Sequence, residues 1–498
     1  MALTCAMALP LSAAAIPPLP IDPPPQPPAW SEPAFDPADA VRQELQRLAV
    51  SAPPEVAEFY AARDHRPLWT PGELRPEALD VLIMLREAAD DGLDPTAYEM
   101  YRLEEALHFA RTNDPRALAE AELRLATAVT AYARDLHRGA VELDFVDPEL
   151  APKPPTLATL TAAPSLAEGL ADLRRMNPLY EKLRTALVEY RAHWGEGRFE
   201  DLRDSVAEGD ASPEALAGFQ AAHGLPATGK PDAATREALD RGPAHYEQLI
   251  LVNLERARAL PADLGQRYIL VDAASQRLWL YDRGQIVTTM KVVTGKETMP
   301  TPLMAGVIRQ AVFSPYWNVP EDLVRTSVAP RALKEGLGYL QGERMEVFAG
   351  YEDDSPRLDP AQVDWQAVAD GRLEVRVRQL PGPKNMMGKV KLEFRNPLGI
   401  FLHDTPMKEL FGDERRTASS GCVRLEDAVA LAKLLLGETP ETTDPESRVD
   451  LPEPVPVYIT YLTVQPTAQG LSFRPDFYRR DGEALQKIAA RGVDPAGR

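Results

Sequence analysis

A multidomain α+β fold, helical in its first part and mostly β in its last, is predicted by three features of the sequence. The chain has 498 residues, too long for one core and enough for about three domains at the usual ~100–200 residues each. Apolar residues recur at i, i+3, i+4 and i+7 through ALDVLIMLREAADDGLDP and ALAEAELRLATAVTAYARDLHRGAVE, the spacing of a helix face. Beyond residue 266 the period changes to alternation. RYILVDAASQRLWLYDRGQIVTTMKVVTG reads as a three-stranded meander broken at DAASQ and YDRGQ.

Residues 1–36 open with MALTCAMALPLSAAA, apolar and ending in small residues like the core and cleavage site of a secretory leader, without its basic start. Two readings stand, a leader whose true start lies upstream or a plain apolar tail; export of a soluble protein is the expectation. Cys5 invites a lipid anchor, but Thr4 precedes it where a small residue is expected. The tether IPPLPIDPPPQPPAW follows, polyproline-like. A helical scaffold is expected over 37–199, a helix–loop–helix unit over 200–242 and a linking helix over 243–265. The β domain spans 266–482, with further strands in AGVIRQAVFSPYW, LEVRVRQL, KVKLEFRN, GIFLHD and VPVYITYLTVQ, and a tail follows at 483–498. An insertion rich in proline and acid, 321–380, is either a lid over a site or loosely packed chain. No stretch reaches the ~18 apolar residues of a membrane span.

The net charge of -20 argues against a nucleic-acid binder, whose phosphate contacts need a basic surface. The two cysteines, Cys5 and Cys422, form no CxxC or Cys/His cluster, so neither a structural zinc nor another metal is expected. Cys422 is then either an inert buried thiol or a nucleophile. His403 ends the apolar run GIFLHD upstream of it. A thiol of pKa near ~8.5 is mostly protonated at neutral pH, and a nearby imidazole takes that proton. SSGC running into VRLEDAVALAKLL predicts a cysteine close to a helix N-terminus, which favours a thiolate. Gly421 permits a tight turn that aims the N–H groups of Gly421 and Cys422 at one point. Such an oxyanion hole is worth about 3–4 kcal/mol per donor.

His403 with Thr405 two residues on, then Ser419-Ser420-Gly421-Cys422-Val423-Arg424, resembles the signature of the L,D-transpeptidases with a YkuD-type catalytic domain. Supporting segments occur in order from Tyr268 to Asp481: VVTGKETMPTP, SPYWNVPEDLV, RQLPGPKNMMGKVK and LSFRPDFYRRD. The 200–242 unit, through Phe219-Gln220, His223-Gly224-Leu225, Gly229 and Thr235 to Leu239, resembles the small three-helix peptidoglycan-binding domain; whether it grips glycan strands or only links stays open. The whole is similar to the large periplasmic form of the family. Many members have His-Gly-Thr and Ser-His-Gly-Cys where this chain has Asp404 and Ser420.

The resemblance implies that Cys422 attacks the third residue of a peptidoglycan tetrapeptide stem, a diamino acid such as meso-diaminopimelate, and expels the terminal D-Ala. His403 would act as base and then acid, oriented by the Asp404 carbonyl. An amine of a neighbouring stem, or of an outer-membrane lipoprotein, would take the acyl group and make a 3-3 cross-link; water would give a carboxypeptidase or endopeptidase. No cofactor is implied. Ser419, Ser420 and Thr405 would support the site. Arg424 either holds a substrate carboxylate or, as the favoured reading, braces the loop through backbone carbonyls. Tyr316 and Trp317 line the cleft or pack the core, and Asn385 and Gly388 form a turn near it. A non-catalytic wall-binding scaffold is disfavoured by intact His403 and Cys422, and a papain-like protease by the order of the two residues.

Overall fold

The computed structural model describes residues 36–352, 354–438, 444–467 and 470–493. Residues 1–35 of the expected leader and tether, Cys5 among them, and residues 494–498 of the tail lie outside these. The helical part begins where the sequence supplies start signals. Asp36, Asp114 and Asn177 cap the helices Pro37–Leu48, Pro115–His137 and Pro178–His193, each side chain accepting a backbone N–H of the first turn. Each helix opens on a proline, whose fixed φ suits that position and whose missing N–H costs nothing there. Helix Pro115–His137 buries Leu118, Leu125, Val129, Tyr132 and Leu136 on one face. Glu122 breaks that apolar stripe. Its carboxylate accepts from Tyr60 Oη at 2.6 Å and from the Trp69 and Thr70 amides at 2.9 Å, which offsets the cost of burying it.

The small unit consists of helices Glu196–Glu208, Pro213–Ala222 and the first part of Ala233–Arg258. That last helix is broken at Gly242 (φ 74°, ψ 167°), and its second part is the expected linking helix. It stops at Arg258 and not at 265, because Pro261 disfavours helical backbone at the residue before it.

Sixteen strands are described, and β1 (Asp144–Phe145) comes from the helical part. The meander is β2 (Arg267–Asp272), β3 (Arg277–Asp282) and β4 (Gln285–Gly295), followed by β5 (Met304–Phe313). Strands β6 (Trp317–Asn318), β7 (Met345–Phe348), β8 (Arg357–Leu358) and β9 (Arg376–Gln379) make a separate small sheet. Then come β10 (Val390–Glu393), β11 (Leu402–His403), β12 (Thr417–Ser419), β13 (Val423–Leu425) and β14 (Ser447–Thr460). β15 (Val464–Thr467) and β16 (Gly470–Phe473) form a hairpin. The main sheet runs β5-β10-β11-β13-β4-β3-β2-β14, and β14 returns to pair with β5, so the sheet closes into a barrel. Its core holds Ile269, Leu280, Val292, Ile308, Leu402 and Val423, with Leu431 and Leu435 of helix Ala428–Leu436.

Contacts in several places tie the parts together, the pair Arg491–Asp135 among them. β1 pairs in parallel with β5, and the Val307 amide donates to Asp147 at 2.6 Å. Val464 and Leu471 of the hairpin are buried in the helical core. The insertion is not loose chain: it surrounds a core of its own, including Val328, Leu340, Val347, Trp365 and Val377. Among the described residues, no helix is long and apolar enough to cross a membrane.

Candidate active site

β11 and β13 lie side by side in parallel, with Leu402 opposite Val423 and His403 opposite Arg424. Leu402 and Val423 point into the barrel core. Side chains alternate along a strand, so His403 and Arg424 face outward, and Cys422, two residues before Arg424, shares their face. The register therefore brings His403 onto the same outer patch of the barrel as Cys422 and Arg424.

His403 is 4% exposed, and its Nδ1 donates to the Asp404 carbonyl at 2.5 Å. That bond puts the proton on Nδ1 and leaves the Nε2 lone pair for chemistry. Burial, then the nearby Arg424 charge, lowers the imidazole pKa to about 3, so the ring is neutral at physiological pH. The Asp404 carboxylate fixes the peptide that carries this carbonyl. Its Oδ2 accepts from the Lys389 amide at 2.8 Å and its Oδ1 from Lys408 Nζ at 2.6 Å. The same ammonium donates to Glu426 O at 2.7 Å, just beyond β13, so Lys408 clips the histidine strand to the cysteine strand. Gly388 has φ +65°, and a Cβ there would lie 2.4 Å from the Asp404 Cβ. Only glycine leaves room for that carboxylate.

Cys422 is half-buried, and its Sγ donates to the Gly399 carbonyl at 3.5 Å; in this state the thiol makes no hydrogen bond to His403. Burial pushes its pKa up, while the Phe401 amide, Arg424 and Lys391 act in the opposite direction. The expected helix N-terminus is absent from this balance. Cys422 leads into a strand, and the helix begins only at Ala428, capped by Asp427, because Val423–Leu425 pairs with β4 and β11 before the chain can coil. The expected oxyanion hole is corrected too. Gly421, at φ +111°, makes the tight turn, but its N–H donates to Ser419 Oγ at 3.2 Å. Ser419 Oγ in turn donates to Cys422 O at 2.6 Å, so the serine closes the turn. The Cys422 N–H has no acceptor among the described residues and is the donor left for a developing oxyanion.

With that geometry in hand, likeness to known proteins can be placed. Residues 266–459 match the family model described as the L,D-transpeptidase catalytic domain. The barrel belongs to the L,D-transpeptidase family. Residues 54–187 match a scaffold domain, and 207–239 match a "Putative peptidoglycan binding domain". A Haemophilus influenzae protein named "Putative L,D-transpeptidase" is 30% identical over 247 residues, covering 48% of this chain and 49% of that protein. The match thus spans about half the length of the curated relative. The catalytic domain of the E. faecium L,D-transpeptidase is 19% identical and covers 39% of this chain and 95% of its own, at a TM-score of 0.17. L,D-transpeptidase 3 from Mycobacterium tuberculosis is 12% identical over 39% of this chain and 60% of its own, at a TM-score of 0.20. Scores this low carry no structural argument.

In the transpeptidase domain the remaining expected residues fall into two groups. Thr405 is buried, and its Oγ1 accepts the Met407 amide at 3.2 Å; Ser420 is exposed. Asn385 is a brace, with Nδ2 donating to Pro315 O at 3.1 Å and Oδ1 accepting from the Met387 amide at 2.7 Å. Tyr316 and Trp317 belong to the insertion side. The Arg378 guanidinium lies 4.3 Å from the Tyr316 ring, and Trp317 packs on the insertion core. The structure does not give Arg424 the favoured bracing role: among the described residues it reaches no carbonyl, and Nη1 meets only the Met407 thioether at 3.4 Å.

Sequence reasoning missed three residues. Lys391 is in register with His403 on β10 and buried, its Nζ 5.0 Å from the Phe401 ring. The alternation in KVKLEF, with Val390 and Leu392 facing the core, would have placed it there. Lys408 carried only the signal of a cation four residues after Asp404. Thr301 Oγ1 donates to the Gly421 carbonyl at 2.8 Å and accepts from the Gly295 amide at 2.9 Å, a contact no local pattern announces.

Proposed function

We propose that this protein catalyses L,D-transpeptidation on peptidoglycan stem peptides, with Cys422 as nucleophile. The observation that carries the reading is His403: its Nδ1 is held by Asp404 O and its Nε2 is left free on the face shared with Cys422. The thiol swings from Gly399 O toward Nε2 and gives up its proton there. The thiolate attacks the carbonyl of the third stem residue, a diamino acid. The Cys422 N–H donates to the oxyanion that forms. As the tetrahedral species collapses, the imidazolium returns its proton to the leaving amine, and D-Ala departs. A thioester remains. An acceptor amine then attacks it, His403 takes the amine proton, and the thiolate leaves and is reprotonated. A neighbouring stem as acceptor gives a 3-3 cross-link; a lipoprotein amine would use the same steps. The helical unit at 200–242 would hold the enzyme to wall glycan, and the site of action would be the periplasm of an exporting cell.

Disaccharide-tetrapeptide muropeptides incubated with the protein and with Cys422→Ala, then weighed by mass spectrometry, test this. The expected result is a cross-linked dimer lacking one D-Ala, absent from the variant. Cysteine-dependent loss of D-Ala without a dimer would assign hydrolysis or another acceptor. No reaction in either sample would remove the catalytic reading.

A further inference from the structure

We propose that Arg424 is the docking point for a carboxylate of the acyl-donor peptide, an inference that rests on the transpeptidase reading above. The residue stands directly across from His403 and two residues along from Cys422, on the face that carries both. Among the described residues no acidic side chain pairs with it. Its Nε is buried without an acceptor, and Nη1 reaches only the sulfur of Met407, a weak acceptor.

More deeply buried arginines have a carboxylate or several carbonyls, although Arg256 Nη2 and Arg258 Nε are without an acceptor like Arg424 Nε. Arg256 lies 2.6 Å from Asp481, and Arg258 is paired with Glu255. Arg416 spends its guanidinium on backbone carbonyls, Val292 O at 3.2 Å and Gln276 O at 3.1 Å among them. The second cation of the site is also taken: Lys391 Nζ lies 3.5 Å from Glu446 and 3.7 Å from Glu393. A half-buried cation with no counter-charge is costly unless an anion arrives. Arg424 is the cation at this site left for one.

The planar guanidinium fork matches a carboxylate better than it matches a single sulfur. A tetrapeptide donor offers carboxylates on both sides of the bond that Cys422 would break. One is the terminus of the leaving D-alanine, and the other is on the side chain of the third residue. Both lie within a few bonds of the attacked carbonyl, as Arg424 lies beside the attacking thiol.

The test uses three donors: the free acid, its C-terminal carboxamide and its third-residue side-chain carboxamide. Binding is measured by calorimetry on the full chain carrying Cys422→Ala, with and without Arg424→Gln; D-alanine release is measured on the unmodified protein. One carboxamide should bind about 10–100-fold more weakly than the free acid, the loss of one charge-assisted pair, and its identity names the carboxylate. Arg424→Gln should weaken the free acid by a similar factor and bind the free acid and that carboxamide alike. Arg424→Lys, which keeps the charge and loses the fork, should fall between. Equal binding of all three donors to the Arg424 protein overturns the proposal, and so does failure of any donor to bind. Equal weakening of all three by Arg424→Gln, the mark of a merely structural residue, overturns it too. The reaction reading fails separately: donors would bind with the expected discrimination while no D-alanine is released.

Discussion

His223 and His403 are two buried histidines that hold Nδ1 the same way, on a backbone carbonyl, and differ in what surrounds the rest of the ring. His223 is 3% exposed in the small helical unit, stacked on Phe219 with ring centroids 4.1 Å apart. Its Nδ1 meets Phe219 O at 2.7 Å, as His403 Nδ1 meets Asp404 O at 2.5 Å. Burial lowers its pKa to about 4, as burial lowers that of His403 to about 3. The difference is the other nitrogen. His223 Nε2 lies 3.2 Å from Tyr190 Oη, whereas His403 Nε2 has no hydrogen bond among the described residues. Depth and a shifted pKa therefore do not tell the two apart; the unspent lone pair on the face shared with Cys422 does.

Substitutions should separate the two. Cys422→Ala should abolish D-alanine release, and His403→Ala should lower it by about 10²–10⁴-fold, the range of a lost general base, in a kinetic assay on folded protein. His223→Ala should do the reverse. It should leave the rate of the folded protein unchanged and lower stability by about 2–4 kcal/mol, read from a urea titration. If His223→Ala silenced the enzyme while folded, the comparison would be wrong.

The contact that holds His403 can be loosened without touching the ring. Lys408→Met removes the clip between the two strands, and kcat should fall by about 10–100-fold with little change in KM, since slight misplacement of a catalytic group costs that much. Asp404→Asn should show the same split. The shared feature of the two histidines appears in acid. Each has a folded pKa depressed below the ordinary 6.5, so the unfolded chain binds protons first as pH falls from 6.5 toward about 4. Stability should drop across that window, by up to about 1.4 kcal/mol per pH unit for each histidine, and His223→Gln should flatten the slope. The smallest effect belongs to Ser420→Ala. The residue is exposed, and stability should stay within about 0.5 kcal/mol with activity unchanged.

Much of this was legible in the residue pattern. Alternation in RLWLYD marked β3 because a half-buried strand needs period two, the unbroken apolar run of RYILVD suits β2, which is buried on both faces, and i, i+4 spacing marked the scaffold helices. The Asp404 carbonyl at the imidazole was implied by the resemblance of the His-Asp-Thr run to the transpeptidase signature. Other features were hidden because they are made by pairing. VRL was read as the start of a helix since nothing local says that β4 and β11 flank it. Lys391 comes beside His403 only through strand register, and Thr301 meets Gly421 only through the barrel's closure. Local sequence specifies periodicity; which strand lies next to which is a property of the whole chain.

The β15–β16 hairpin carries a consequence for how the molecule is made. Val464 and Leu471 complete a hydrophobic core whose first members are Val41 and Leu45. The helices that the hairpin packs on, Pro178–His193, Pro213–Ala222 and Ala233–Arg258, therefore keep part of their apolar surface uncovered until it has emerged from the ribosome. Contacts of such long sequence separation form slowly, and until they form these helices expose apolar surface that a chaperone can hold. A helical unit closed by a hairpin from beyond the barrel stays partly open while the barrel is being synthesised.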